Sequence, residues 1–194
     1  GRSLFLWGKA REFRQEEALH EFHVALGASD SIGSYTYTDR VAARMISRIP
    51  LQGNERYQVC EPLPEIPWTF DGDTRQIGPY RCERATGHFR GRLYEVWFAP
   101  AVPVLAGPWK LQGLPGLVVE ARDRSGEIVF RLNTLKPAGR PLEEILPAED
   151  CLDISEFASL QKAWASEMLR RMNAKLPRGA RLTLGSRNAM ESFD

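Results

Sequence analysis

From residue 44 to about residue 133 the chain consists of short apolar or alternating runs separated by clusters of Gly, Pro, Asn and Asp. This pattern of residues predicts β-strands joined by turns. In the clearest case Ile128, Phe130 and Leu132 alternate with polar or outward residues, which is typical of a sheet with one buried face. The predicted strands are residues 35–38, 44–49, 56–61, 68–70, 76–86, 92–99, 117–122, 127–133 and 181–184, with turns at 53–54, 71–73, 87–91 and 123–126.

Two segments have helical spacing instead. Residues 153–176 begin with Asp153 as an N-cap and Glu156 three positions later, a capping-box pattern. Residues 4–26 mix apolar and charged residues at helical intervals and stop at Gly27. The apolar stripe of the C-terminal helix is Ile154, Phe157, Ala158, Trp164, Met168 and Met172.

These elements predict an α+β fold in a single domain over residues 1–194. We expect a strongly curved antiparallel sheet, resembling half a barrel, with the C-terminal helix packed on it. Such a layered arrangement leaves a cleft between helix and sheet that could take a ligand, by analogy of fold alone.

The segment 107–118 combines two prolines, three glycines, a Trp and three leucines. It has too many breakers for a regular helix or strand and too many apolar residues for an ordinary solvated loop. The candidate binding segment is residues 100–116, and two interpretations of it stay open. It is either a lip over a hydrophobic groove, with Trp109 and Leu114 contacting an apolar ligand or peptide and Lys110 at the rim, or a loop that plugs the open end of its own sheet. The candidate ligand-binding residues are Trp97, Pro108, Trp109, Lys110, Leu114 and Pro115.

Composition and charge narrow the function classes. The chain is 43% hydrophobic and 26% charged, with a formal net charge of +1, so no basic excess points to nucleic acid. No run approaches the roughly 18 apolar residues that a membrane-spanning helix needs. We therefore expect neither a nucleic-acid partner nor a membrane span.

Three cysteines leave at least one without a partner inside the chain. Cys60 and Cys82 both lie in extended segments, which makes them the first expected disulfide pair. Cys151 would then be free, either buried or available for a bond to another molecule. No C-x-x-C pair occurs, so we expect no cysteine zinc site.

His20, Glu21 and His23 form the one spacing that resembles a metal site. The histidines are three residues apart and neighbours on a helix, whereas helical zinc motifs place them four apart. A solvated helix face is the favoured reading, and we expect no metal and no cofactor.

Candidate catalytic groups are few and no catalytic residue is assigned. Cys82 and His88 suggest a thiol nucleophile, but a structural cysteine fits this short separation better. Glu95 and Glu120 interrupt apolar runs. They need no explanation on a solvated sheet face, but on a concave face they would be ligand or catalytic groups.

Residues 113–118, Gly-Leu-Pro-Gly-Leu-Val, resemble the motif that names the GLPGLI family, with Val118 where the family usually has Ile. The likeness extends over residues 68–132 and is looser in the flanks. Further matching features are Trp68, Asp73-Thr74, Ile77-Gly78, Tyr80-Arg81-Cys82, Ala85, Gly91-Arg92, Trp97-Phe98, Pro103 and Gly107-Pro108.

The resemblance implies an exported, periplasmic protein of Bacteroidetes-type bacteria, in a compartment that permits disulfides. It also implies an association with outer-membrane receptors of the TonB-dependent kind, and a chain that begins inside the family pattern near Ser3-Leu4-Phe5. The family is largely uncharacterised, so the resemblance is nearly silent on chemistry.

Three function hypotheses follow. The leading one is a binding or accessory protein of the cell envelope whose ligand is a peptide, a lipid or a small hydrophobic molecule. The alternative is a hydrolase or protease of unrecognised type that acts on peptides, using Glu95, Glu120 or His88. The third is an envelope scaffold linked to a partner through its free cysteine. Whether the protein is an enzyme stays open at this point.

Overall fold

The structure, a computed structural model, describes residues 2–7, 33–50, 55–136, 142–177 and 182. These residues form ten strands and one helix. The elements are β1 (Arg2–Trp7), β2 (Ser34–Asp39), β3 (Arg44–Pro50), β4 (Arg56–Pro62), β5 (Thr69–Ile77), β6 (Tyr80–Phe89), β7 (Arg92–Ala99), β8 (Leu117–Asp123), β9 (Val129–Arg131), β10 (Leu152–Asp153) and α1 (Ile154–Asn173).

The chain divides into two compact units. Unit 1 contains Gly1–Leu63 and Leu142–Arg181, and unit 2 contains Pro64–Pro141 and Leu182–Asp194. The sequence led us to expect one sheet, but each unit has its own five-stranded sheet. Antiparallel sheets followed by a C-terminal helix are confirmed, and neither sheet closes into a barrel.

Unit 1 is built on a sheet with the strand order β1-β2-β3-β4-β10. Its neighbours are antiparallel, apart from β10, which runs parallel to β4. Tyr37, Ile46 and Val59 are fully buried on the three central strands. Because β-branched and aromatic side chains pack well on a pleated surface, these strands form where the sequence predicted them.

Helix α1 begins as the sequence predicted. The Asp153 side chain accepts from the backbone of Ser155, and the Glu156 side chain accepts from the Asp153 backbone N–H. Phe157 is buried, with its ring centroid 6.3 Å from that of Tyr57 on β4. The predicted apolar stripe of this helix is buried only in part, because Met172 at its C-terminal end is 42% exposed.

The N-terminal helix expected over residues 4–26 is wrong in its first part. Residues 4–7 belong to β1, which pairs with all six residues of β2. Cross-strand pairing overrides weak local helix preference in so short a segment. The remainder, residues 8–26, lies outside the described residues, as do residues 53–54, 181 and 183–184.

Unit 2 is a meander of five strands in sequence order, β5-β6-β7-β8-β9. Two expected boundaries move. The segment 71–73 is an irregularity within β5 and not a turn. Gly78 and Pro79 form a turn that separates β5 from β6, so residues 76–86 are not one strand.

The disulfide joins Cys60 to Cys151, which corrects the expected pair of Cys60 with Cys82. Cys151 directly precedes β10, and the β10–β4 pairing brings its Cα within 5.9 Å of that of Cys60. Cys82 is the free cysteine. It is fully buried in unit 2 beside Trp97, Ala99 and Val119.

Candidate functional site: the loop that caps the sheet of unit 2

The sheet of unit 2 has two faces of opposite character because successive side chains of a strand point to opposite sides. On β7, Tyr94 and Val96 point to an apolar face, where their cross-strand partners are Gly87 and Ala85. Glu95 and Trp97 point to the other face, opposite Thr86 and Arg84. We call these the apolar face and the charged face.

Residues 107–116, the capping loop, cover the apolar face. The Trp109 side chain is the main anchor, with 3% of its surface exposed. Its ring centroid lies 5.5 Å from that of Phe89 and 6.4 Å from that of Tyr94. Trp109 adopts a left-handed backbone conformation, with φ of 52°. Such a conformation costs a non-glycine residue free energy, which the packing of the ring has to exceed.

Hydrogen bonds fix the capping loop to the segment that enters unit 2. Trp68 Nε1 donates to the Gln112 carbonyl over 2.7 Å, and Gln112 Nε2 donates to the Pro64 carbonyl over 3.0 Å. These bonds satisfy polar groups that would otherwise be buried alone. The loop is therefore part of the folded core of unit 2.

Two glycines of the loop stand where the backbone passes too closely for a side chain. A Cβ at Gly116 would lie 2.4 Å from the Ala99 carbonyl oxygen, and one at Gly107 would lie 1.7 Å from the Leu111 carbonyl oxygen. Close approach of backbone to backbone is a reason for glycine at a fixed position. The Gly-Leu-Pro-Gly pattern thus has a packing explanation at its second glycine.

The structure places the expected ligand-binding residues mostly inside unit 2. Lys110 and Leu114 are 0% and 3% exposed, so Lys110 does not stand at the rim of a groove. Pro108 is half-buried, and Pro115 is exposed. Trp97 lies on the charged face, so it does not join Trp109. The arrangement fits a loop that closes its own sheet, one of the two readings of the sequence.

An exposed apolar segment precedes the capping loop. Residues 99–108 contain no charged side chain, and Val104 and Leu105 are 37% and 55% exposed. We call residues 100–106 the apolar tip. The sequence interpretation included these residues in its candidate segment, residues 100–116, but chose the larger Trp109 and Leu114 side chains as the ligand contacts. The absence of charge between Ala99 and Trp109 was the signal that could have indicated it.

The apolar tip is held at its base by backbone hydrogen bonds. Val102 N–H donates to the Ala99 carbonyl over 3.1 Å, and the Val102 carbonyl accepts from Leu117 N–H over 3.0 Å. The tip therefore lies between the end of β7 and the capping loop, and its base is fixed to both β7 and β8. Apolar side chains held in water on a fixed backbone are a common feature of contact surfaces.

The charged face carries a row of ion pairs across four strands. Arg84 contacts Asp71 at 2.6 Å and Glu95 at 3.8 Å, and Arg122 contacts Glu95 at 2.8 Å. Alternating charges on neighbouring strands stabilise cross-strand pairs modestly. The Arg84 guanidinium hydrogen bond lowers the pKa of the Asp71 carboxyl.

A second cluster on the charged face surrounds Trp97. The Arg75 guanidinium lies 4.2 Å from the Trp97 ring centroid and 2.8 Å from Glu120. Arg131 approaches the other oxygen of Glu120 at 3.5 Å. Each of these groups thus has a neighbour on the sheet, and the charged face combines ion pairs with the buried cluster of Cys82, Trp97, Ala99 and Val119.

The candidate catalytic groups do not form a nucleophile and base pair. Cys82 and His88 both belong to β6 but stand six residues apart, about 20 Å at the usual rise of a strand. Burial raises the pKa of the Cys82 thiol, which opposes formation of the reactive thiolate. Glu95 and Glu120 accept from Arg122 and Arg75 on the charged face.

Among the described residues no group of three or more His, Cys, Asp or Glu side chains is placed to hold a metal ion. The His20 and His23 pair lies outside the described residues. Within that same part of the chain, no helix has the length and apolar character to cross a membrane.

Comparison with known proteins gives little further guidance. No family model matches the chain, and neither does any curated protein. A solved structure of PNGF-II in the P21 space group aligns with a TM-score of 0.44 and 16% identity, covering 66% of this chain and 24% of that chain. PNGF-II in the C2 space group aligns with a TM-score of 0.43 and 17% identity, covering 69% and 25%. The chain thus spans about a quarter of the length of PNGF-II, and a likeness this weak carries no argument.

Proposed function

We propose that this protein is a binding or accessory protein of the bacterial cell envelope, and that the apolar tip is its contact surface. The observation that carries the proposal is the exposure of Val104 and Leu105 in an uncharged segment with a fixed base. Covering water-exposed apolar groups with a ligand removes apolar surface from water, which favours binding. The ligand class is a peptide, a lipid or a small hydrophobic molecule.

The capping loop supports this function indirectly. Trp109 and Leu114 are buried in the core of unit 2. They hold the capping loop, which follows the apolar tip in the chain, against the sheet. Pro115 is one exposed apolar residue within the capping loop. A surface whose backbone is ordered in advance loses less conformational entropy on binding.

The envelope location rests on the resemblance to the GLPGLI family and on the disulfide. A disulfide between Cys60 and Cys151 persists in an oxidising compartment such as the bacterial periplasm. The same resemblance motivates the partner, an outer-membrane receptor of the TonB-dependent kind.

The test compares two double variants that remove similar apolar groups. Val104→Ser with Leu105→Ser alters the apolar tip. Val129→Ser with Leu135→Ser is the matched control, since these side chains are 41% and 46% exposed elsewhere in unit 2. Each protein is isolated from its own envelope without refolding and weighed by native mass spectrometry.

We expect the parent and the control variant to carry the same bound mass, and the tip variant to lose it. A bound mass that survives in the tip variant would remove the apolar tip from the site. If the parent protein carries no bound mass, the result would count against the proposal that it binds a ligand. Turnover of peptides by that parent would then support the hydrolase alternative, with Glu95, Glu120 and His88 as the first positions to change.

A further inference from the structure

Residues 142–177, which we call the C-terminal arm, return to unit 1 after the chain has formed unit 2. The arm contains β10 and α1. It is joined to β4 by the disulfide between Cys151 and Cys60, which are 91 positions apart. The covalent bond thus connects the two stretches of sequence that make unit 1.

Among the described residues of unit 1, the non-covalent contacts between the arm and the other strands are few. β10 pairs with β4 through two residues only, Leu152 and Asp153. Helix α1 buries two residues, Phe157 and Ala165, among those that the structure describes. A short parallel pairing and one buried aromatic side chain form a weak attachment for a segment of this length.

The polar contacts of Glu144 and Ala148 add little to that attachment. Glu144 pairs with Arg2 at 3.1 Å and with Arg44 at 3.7 Å, and all three side chains are at least 32% exposed. Ion pairs so exposed contribute little to stability. Ala148 N–H also donates to the Gln58 side chain in an exposed position.

We propose that the Cys60–Cys151 disulfide is a redox-controlled latch that holds the C-terminal arm against β4. Both cysteines are half-buried and not enclosed, so a thiolate of a small reductant can reach the bond. Disulfides with such access are the ones that serve regulation. Opening the bond lets the arm detach and exposes the edge of β4 at Val59 and Cys60.

The chemistry is thiol–disulfide exchange with a dithiol reductant. One reductant thiolate attacks a protein sulfur and displaces the other cysteine as a thiolate, which takes up a proton. The second reductant thiolate then breaks the mixed disulfide. The protein gains two electrons and two protons as two thiols, and the reductant becomes a disulfide.

The expected size of the effect follows from chain entropy. A crosslink that closes a loop of tens of residues lowers the population of the open state by a factor on the order of 10² to 10³. Reducing the disulfide should therefore raise the equilibrium population of the open arm by about 100-fold or more. A detached helix of this length is marginal in water, so α1 should lose protection as well.

The test is hydrogen exchange by mass spectrometry on the full chain, oxidised and after treatment with excess dithiothreitol. We expect α1 to lose about 100-fold of protection, while β6 and β7 of unit 2 and the pairing of β3 with β2 and with β4 keep theirs. Thiol labelling of Cys60 and Cys151 confirms that the bond has opened.

Two variants separate the latch from a general loss of stability. Cys151→Ser should reproduce the reduced pattern without reductant, and Cys82→Ala, which removes the thiol of unit 2, should not. The latch is overturned if α1 stays protected after both cysteines are labelled. It is equally overturned if β2 and β3 lose protection together with the arm, since the disulfide would then merely stabilise the whole of unit 1. The inference does not depend on the proposed binding function.

Discussion

Trp109 should be worth about 4 kcal/mol to the stability of unit 2. Its indole is 3% exposed and contacts the rings of Phe89 and Tyr94. Truncating a buried Phe or Trp to Ala costs about 3–5 kcal/mol because contacts are lost and a cavity remains. This is a large part of the roughly 5–15 kcal/mol that a domain usually has. Trp109→Ala should therefore remove between about a quarter and four fifths of the free energy of unfolding of unit 2.

The backbone at Trp109 makes the prediction sharper. With φ of 52°, any residue with a Cβ is strained there by about 1–2 kcal/mol, whereas glycine is not. Trp109→Gly should therefore be no less stable than Trp109→Ala. At Tyr94, which is fully buried in the extended strand β7, the order should be reversed, with Gly below Ala by about 0.5–1 kcal/mol.

The assay is the free energy of opening of β6 and β7, measured by hydrogen exchange, because these strands report on unit 2 alone. Four variants are compared: Ala and Gly at position 109, and Ala and Gly at position 94. The reasoning fails if Gly lies below Ala by the same amount at both positions. It also fails if Trp109→Ala costs less than about 1 kcal/mol, since the ring would then not be a core anchor.

Two further predictions concern single groups. Arg90 has φ of 49° in the two-residue turn with Gly91 between β6 and β7, so Arg90→Asn should stabilise unit 2 by about 0.5–1 kcal/mol in urea unfolding. The Ala42 N–H, against the opposing effect of burial, holds the pKa of the Asp39 carboxyl below its usual value. A carboxyl whose pKa is lower in the folded state stabilises that state at pH values above its unfolded pKa of about 3.9. This stabilisation is lost as the pH falls through the folded pKa, so the free energy of unfolding of unit 1 should decrease as the pH falls from about 4. Asp39→Asn should flatten that dependence, and an unchanged pH profile would refute the assignment.

The sequence predicted local structure well where the signal was local. The capping box at Asp153 and the hairpin between β8 and β9 involve residues a few positions apart. Their chemistry is complete within one turn of chain, so the pattern of residues determines them. The start of α1 and the strands β2, β3, β4, β7 and β8 were therefore predictable from the sequence, whereas β1 and β10 were not.

The candidate site was harder to predict because burial depends on partners that are distant in sequence. The motif at Gly113–Val118 indicated a shaped loop, yet the roles of Trp109 and Lys110 depended on whether another face would cover them. Tyr94 on the apolar face of β7 packs against Trp109, so this large side chain became part of the core, and the smaller Val104 and Leu105 stayed exposed.

The sequence by itself determined an antiparallel β-rich chain with a C-terminal helix and an unusual packed loop before β8. Tertiary structure alone decided that there are two sheets, that Cys60 pairs with Cys151, and which side of the loop faces water. The physical reason is the range of the interactions. Periodicity and capping act over a few residues, whereas strand pairing and disulfide formation join residues as far as 91 positions apart.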